Sequence, residues 1–144
     1  MHFITRERIH VDRIATAWAI RRFVDPEATF AFVPRTRDVS GVPGIPFDMR
    51  GAELGHHGGQ CTLEALIDKY ELADPALRRM ARIIRAADLP QEEPAPAVAP
   101  GVLAIFDGIR DGSSSDAERL RRGSVVCDAM FAYCGLDTEA ADER

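Results

Sequence analysis

Apolar and polar positions in the first third of the chain change between strand-like and helix-like spacing. Residues 2–6 alternate and favour a strand, and residues 12–24, rich in alanine and isoleucine, predict a helix. The Asp-Pro pair at 25–26 ends that helix, because proline disfavours helical geometry in the residue before it. Residues 28–34 are almost continuously apolar, as in a strand covered on both faces, and 45–49 predict a short third strand.

The remainder of the chain favours helices. Four are predicted, over residues 62–72, 74–88, 102–109 and from Ser115 to about Cys134. The second has Pro75 in its first turn and an apolar stripe at helical spacing, and Ser115 with Glu118 predicts a capping box for the last. The proline-rich stretch 89–101 predicts an extended connection, and 135–144 a frayed tail.

This order of elements predicts an α/β fold, with α+β as the alternative. About three strands form a small N-terminal sheet flanked by helices, and the C-terminal half is helical. The 144 residues suit one domain, residues 1–144. No segment reaches the roughly 18 apolar residues of a membrane span, and charges at residues 6–8 lie where a signal core would be, so we expect a cytoplasmic protein.

Charge and cysteine content narrow the function classes. A net charge of −5 argues against general nucleic-acid binding, while Lys69 is the only lysine among 18 basic residues. The arginines either reflect codon usage or provide a cluster that binds a small oxyanion or other small-molecule substrate. Cys127 and Cys134, seven residues apart on one predicted helix, are separated by about 10 Å, too far for a disulfide, and are predicted core thiols. A homo-oligomer is left open.

Two early positions offer groups that bind metal ions. Asp12 opens the first helix and is either its N-cap or, with His10 two residues before it, part of a pair directed at one ion. Asp48 lies in the otherwise apolar third strand. Because an unpaired buried carboxylate is costly, Asp48 either faces solvent or meets a cation.

The glycine-rich loop at residues 50–61 gives the clearest signal. It holds His56 and His57 between glycines and ends at Cys61. Imidazole is a common metal ligand, so we expect His56 to bind first and His57 to act as second ligand, base or oxyanion contact; a solvated loop is the alternative. Cys61 either joins the site or is a redox-active thiol, since the start of the next helix would favour its thiolate.

Asp88 continues the buried stripe of its helix at the C-terminal end and therefore needs a partner, either a cation or an arginine such as Arg85. The candidate metal ligands are thus His10, Asp12, Asp48, His56, His57 and Asp88. Carboxylates with imidazole suit a divalent ion such as manganese, iron, zinc or magnesium, rather than a structural site of four thiolates.

The same residues carry a resemblance to a known family. Residues 4–34 resemble the opening of the C-terminal domain of the chromate resistance protein B (ChrB) family, with its D-R-I-A-x-x-W-x-I-R-R-F-x-D-P-x-A run. Residues 51–70 resemble that family's E-L-x-H-x-G-x-x-C-(S/T) segment, and 77–89 its L-x-x-(L/M)-A-R-I-(V/I)-R-x-A-D segment. The likeness covers nearly the whole chain and implies a role in chromate resistance or response.

Departures from the family also matter. A Cys-Pro pair often follows D-R-I-A in the family, and Thr16-Ala17 stands here instead, which removes a thiol role at that point. Regulatory members of the family carry an additional N-terminal half. We expect a metal-binding domain in which Arg13 and Arg21 contact an oxyanion, with a sensor or partner-binding module without turnover as one alternative.

The other alternative is an enzyme. The order of His10, Asp12, Asp48, the His56-His57 pair and Asp88 is similar to the order of metal ligands in DHH-type phosphoesterases. That likeness implies divalent ions that activate water, with His57 and Cys61 as candidate catalytic residues. It is a likeness of motifs, and a shared motif order does not by itself establish an activity.

Overall fold

The computed structural model describes residues 1–89 and 95–136, which form a small sheet packed against helices. The elements are β1 (His2–Arg6), α1 (Val11–Ala19), a π-helical turn (Ile20–Val24), β2 (Thr29–Val33), β3 (Ile45–Pro46), α2 (Thr62–Lys69), α3 (Pro75–Asp88), α4 (Ala99–Gly112) and α5 (Asp116–Cys134). Among the described residues, no helix combines the length and the apolar character that crossing a membrane requires.

β1 is the central strand of a parallel sheet with the order β2-β1-β3. Phe3 pairs with Phe30 of β2 on one side and with Ile45 of β3 on the other. The interior of β1 is buried, as expected for a strand with neighbours on both sides. The three-stranded N-terminal sheet confirms the predicted α/β fold.

β3 is shorter than the five residues that its sequence predicts. Phe47 still donates its N–H to the carbonyl of Ile4, but Asp48 has a positive φ of 48° and turns the chain away from the sheet. Phe47 then pairs with Leu54 in an isolated bridge. The strand therefore ends before Asp48, whose left-handed backbone directs the chain out of the sheet and toward the helices.

α1 is the most enclosed helix. Eight of its nine residues are buried, Arg13 being the exception, and it packs against α2, α3, α4 and α5. Small residues such as Ala15 and Ala19 allow neighbouring helices to approach closely. The predicted helix over 12–24 continues past Ala19 only as the π-helical turn, which closes when Asp25 N–H donates to the carbonyl of Ile20.

A proline lies in the first turn of both α3 and α4. Asp74 caps α3 by accepting from Ala76 N–H, with Pro75 following as predicted. α4 begins at Ala99, so the predicted extended connection is wrong for residues 99–101; Pro100 lies in the first helical turn, where its missing N–H costs nothing. Residues 90–94 of that connection, and 137–144 of the tail, lie outside the described residues.

The other helices end where local geometry changes. α2 ends at Lys69 instead of 72, because Glu71 has a positive φ of 51° that a right-handed helix cannot continue. At the start of α5 the side chain of Ser115 accepts from Glu118 N–H, but Glu118 reaches back to Ser114, so only half of the predicted capping box forms. Cys127 and Cys134 are buried thiols, as predicted.

Candidate metal centre

His56 lies among three carboxylates that come from distant parts of the chain. Its Nε2 atom is 3.0 Å from Asp12 Oδ2, 3.2 Å from Asp48 Oδ1 and 3.4 Å from Asp88 Oδ2. Asp12 comes from the first turn of α1, Asp48 follows β3, and Asp88 ends α3. We refer to these four residues, Asp12, Asp48, His56 and Asp88, as the cluster.

Asp12 is the buried base of the cluster, with 1% of its side chain exposed. It is not the N-cap of its own helix, a position that His10 occupies. Instead its two carboxylate oxygens accept from the backbone N–H groups of Thr62 and Leu63, at 2.8 Å and 3.1 Å, in the first turn of α2. Asp12 therefore joins the starts of two helices, whose positive ends both favour its negative charge.

Asp48 is oriented by two neighbours. Thr62 donates its hydroxyl to Oδ1 at 3.0 Å, and the Arg13 Nε atom lies 3.2 Å from Oδ2. Arg13 also donates from Nη2 to the Asp48 backbone carbonyl, which fixes the residue in its left-handed conformation. Burial, followed by the charge of Asp12, raises the pKa of Asp48.

The cluster places several negative charges around one imidazole. The hydrogen bond that His56 donates to Asp12, against a smaller opposing effect of burial, raises the pKa of His56 to about 9. Burial and the charges of Asp12 and Asp48 raise the pKa of Asp88 to about 7. At neutral pH a protonated imidazole thus occupies the place that a divalent cation would compete for.

The donor set fits a small divalent ion. Ligand atoms about 2.1 Å from one ion are about 3.0 Å apart at right angles and about 3.4 Å apart at the tetrahedral angle, the range in which the carboxylate oxygens surround His56 Nε2. One atom each from Asp12, Asp48 and His56 lies within 4.8 Å of the others.

Arginines surround the cluster. A cavity of about 250 Å³ is lined by the cluster residues Asp12, Asp48, His56 and Asp88, by His10, and by Arg8, Arg13, Arg35 and Arg110. Sequence reasoning selected only Arg13 from these arginines. Arg35 could have been found, because it follows β2 and the carboxyl ends of parallel strands meet at one edge of the sheet.

Arg21, a predicted oxyanion contact, lies away from the cluster. Arg21 donates to the carbonyl of Ala28 and stacks on the ring of Phe30, 4.8 Å from its centroid, so the structure does not bring it to the cluster. Arg21 instead lines a separate cavity together with Phe32 of β2 and Leu120 of α5. The structure therefore does not bring Arg21 together with Arg13, and the oxyanion contact of Arg21 stays a prediction.

Cys61 also differs from its expectation. Its side chain is fully buried and its Sγ atom contacts the Ala81 carbonyl at 3.8 Å. Burial, more than any neighbouring charge, raises the pKa of the thiol well above its usual range. The structure therefore does not favour the expected thiolate, because the thiol is removed from water.

The two other candidate histidines, His10 and His57, lie beside the cluster and not in it. His57 is exposed and donates from Nε2 to the Glu53 carbonyl at 2.8 Å. His10 Nε2 lies 2.7 Å from Asp107 of α4, and burial, partly opposed by the Asp107 hydrogen bond, lowers the pKa of His10. Asp88 does not pair with Arg85, which instead donates to Glu64 at 3.0 Å.

Comparison with known proteins gives one family. The family model described as ChrB, C-terminal domain, matches residues 3–134. Protein ChrB of Cupriavidus metallidurans is 33% identical over 132 residues, which cover 90% of this chain and 39% of that protein. The chain thus spans about two fifths of the length of this relative. No solved structure matches the chain significantly.

Proposed function

This chain belongs to the ChrB C-terminal domain family, and we propose that it serves chromate resistance as a domain that binds one divalent metal ion. The observation that supports this is the convergence of Asp48, Asp88 and Asp12 on His56 Nε2, at 3.0–3.4 Å. Each of the four side chains comes from a different segment, so the arrangement is a product of the fold.

The proposed ligands are Asp12, Asp48, His56 and Asp88. Three carboxylate oxygens and one imidazole nitrogen suit manganese, iron, zinc or magnesium, and the bound ion would supply a positive charge that accepts an oxyanion. Thr62 and Arg13 hold Asp48, and the α2 backbone holds Asp12. Partners of this kind keep ligands oriented before the ion arrives and raise the affinity of a site.

Charge balance supports the same proposal. The cluster holds three carboxyl groups, and the cations in direct contact with them are the imidazolium of His56 and the Arg13 guanidinium next to Asp48. Carboxylates that lie around one imidazole nitrogen repel one another strongly when the site is partly buried. A divalent ion that replaces the His56 proton adds one net positive charge at the point where the carboxylates are closest.

The test compares adjacent histidines. His56→Ala removes a proposed ligand, whereas His57→Ala removes a neighbour whose ring donates to the Glu53 carbonyl and serves as the matched control. We expect isothermal titration with Mn²⁺ and with Zn²⁺ to show one site per chain, weakened at least about tenfold in His56→Ala. Equal affinities in the two variants, or no binding to the unaltered chain, would remove the metal site.

Turnover is a second candidate function. His56 is 38% exposed, so one side of the cluster is open to a ligand, which favours a metal-dependent phosphoesterase. The chain offers Arg13 there, but Cys61 is buried and His57 bonds to the backbone. A bis(p-nitrophenyl) phosphate assay with Mn²⁺ separates the two candidate functions. Hydrolysis by the unaltered chain that is lost in Asp48→Asn supports the enzyme, and no hydrolysis by the unaltered chain supports binding without turnover.

A further inference from the structure

A large cavity opens beside the cluster and is lined by arginine. Its volume is about 730 Å³, and its wall includes Arg6, Arg13, Arg35 and Arg50 as well as Asp48 and His56 of the cluster. Small-molecule sites usually measure about 300–1,000 Å³. A lone tetrahedral oxyanion is far smaller than this cavity.

The arginines differ in how they are held. Arg6 donates from Nη1 to the carbonyls of Pro34 and Arg37, at 2.7 Å and 2.8 Å, which fixes its guanidinium at the end of β1. Arg13 is fixed by Asp48. Arg35 and Arg50 are exposed and form no ion pair within the described parts of the chain. Two fixed and two unpaired guanidinium groups thus face one space.

This arrangement has an electrostatic consequence. Arg35 also lines the smaller cavity over the cluster, together with Arg8 and Arg110, so positive side chains lie on both sides of the proposed metal ligands. Positive charges near a metal site weaken the binding of a bare cation. An anion with several negative charges that binds together with the cation offsets this repulsion, because the anion pairs with the arginines.

The cavity wall also contains a part suited to an organic group. Met49 and Ala52 lie in it beside Gly51, which has a positive φ of 80° and no side chain to fill the space. A phosphate bound by guanidinium forks therefore has room beside it for a small carbon skeleton. This combination favours a phosphate ester over an inorganic oxyanion.

We propose that this arginine-lined cavity binds a phosphorylated small molecule together with the metal ion, each increasing the affinity of the other. The inference rests on the proposed metal site and names the ligand class that would reach it. Arg35 and Arg50 would bind the phosphate from the solvent side, Arg6 would border it at the end of β1, and Arg13 would link it to Asp48.

The probe is phenyl phosphate, with inorganic phosphate as the small-oxyanion arm and citrate as the carboxylate arm. Mn²⁺ affinity is measured through the electron paramagnetic resonance of free Mn²⁺, with and without each anion. We expect phenyl phosphate to lower the Mn²⁺ dissociation constant at least about fivefold, and Mn²⁺ to lower that of phenyl phosphate by the same factor. Arg35→Ala and Arg50→Ala should reduce this coupling, while Arg121→Ala, an exposed arginine on α5, leaves it unchanged.

The outcomes separate this inference from the metal site. Mn²⁺ binding that no anion alters overturns the inference and leaves the metal site intact. Equal effects of phenyl phosphate and inorganic phosphate, or a larger effect of citrate, overturn the ligand class. If Mn²⁺ does not bind, the metal site fails, and titration of phenyl phosphate alone then decides: binding that requires Arg35 and Arg50 keeps the anion site, and no binding removes it.

Discussion

Asp12 accepts two backbone hydrogen bonds from α2 while its Oδ2 atom also faces His56. One buried carboxylate therefore connects the packing of α1 against α2 with the proposed ligand set. Such a residue is hard to replace, because each of its oxygens already has a backbone donor. The carboxylate of Asp48 is held by the Thr62 hydroxyl and by Arg13, that is, by side chains instead of backbone donors, so it contributes less to the fold.

This difference predicts opposite stability effects for two similar substitutions. Asp12→Asn directs an amide N–H toward a backbone N–H and should lower the free energy of unfolding by about 2–4 kcal/mol. Asp48→Asn should change it by less than about 1 kcal/mol, because the Thr62 hydroxyl can rotate to suit an amide. Urea unfolding with a chelator present measures both. Equal losses would show that Asp12 has no special structural role.

Replacing Asp88 should raise the stability of the metal-free chain and weaken its binding of metal. Burial and the charges of Asp12 and Asp48 raise the pKa of Asp88 to about 7, so its ionised form is disfavoured in the folded chain. In metal-free protein at pH 8, Asp88→Asn should raise the free energy of unfolding by about 1 kcal/mol. The same variant should bind Mn²⁺ more weakly. A variant that is destabilised and binds normally would contradict both parts.

Sequence reasoning selected all four cluster residues, Asp12 from its place at the start of a predicted helix, Asp88 from its place on a buried stripe, and Asp48 and His56 from an apolar and a glycine-rich setting. His56 and Asp48 stand out in this way without any knowledge of the fold. The partners of Asp12 could not be predicted, since the contact with Thr62 and Leu63 bridges about 50 residues of sequence. The packing of Arg21 on Phe30 also could not be predicted, since it depends on how β2 lies against the turn after α1.

At the level of elements, periodicity identified the long helices more reliably than the short strand. α3 and α5 carry apolar stripes and caps, so their positions follow from local rules. β3 was overestimated because Asp48 leaves the sheet to meet Thr62 and Arg13, which are distant in sequence. The start of α4 was missed because Pro100 suggests an extended chain unless its place in the first turn is known.

Two helical glycines test how closely the elements pack. A Cβ atom at Gly123 would overlap Ile14 Cγ2 of α1, whereas one at Gly108 of α4 would meet none of the described residues within 4 Å. Gly123→Ala should therefore lower the free energy of unfolding by about 1–3 kcal/mol, because the α1–α5 contact must open. Gly108→Ala should raise it by about 0.5–1 kcal/mol through helix propensity alone. Thermal unfolding distinguishes the two, and a stabilised Gly123→Ala would contradict the packing.

For the whole molecule, the site follows from the topology. Arg6 ends β1, Arg35 follows β2 and Asp48 follows β3, so a parallel sheet delivers two guanidinium groups and a carboxylate to one edge. Asp12 at the start of α1 and Asp88 at the end of α3 complete the arrangement from the helical layer. Positive and negative groups therefore meet where the two layers join.

This arrangement predicts an unusual pH dependence. The folded pKa of His56 is about 9 against 6.5 for the free side chain, so its contribution is present below pH 6.5 and is lost as pH rises toward 9. The raised pKa of Asp88 also lowers the stability of the folded chain as the pH rises, between its usual pKa of 3.8 and about 7. Metal-free protein should thus lose stability progressively from acidic to alkaline pH.

A bound divalent ion should reverse part of that trend, because protons and metal compete for the same nitrogen and oxygens. The increase in melting temperature on adding Mn²⁺ should therefore widen from pH 6 to pH 9, most steeply where His56 loses its proton. Differential scanning fluorimetry across this range measures it, with His57→Ala following the unaltered chain and His56→Gln showing a smaller gain at every pH. A gain that is constant with pH would mean that the ion binds away from His56, and the carboxylates would then need another explanation for their convergence.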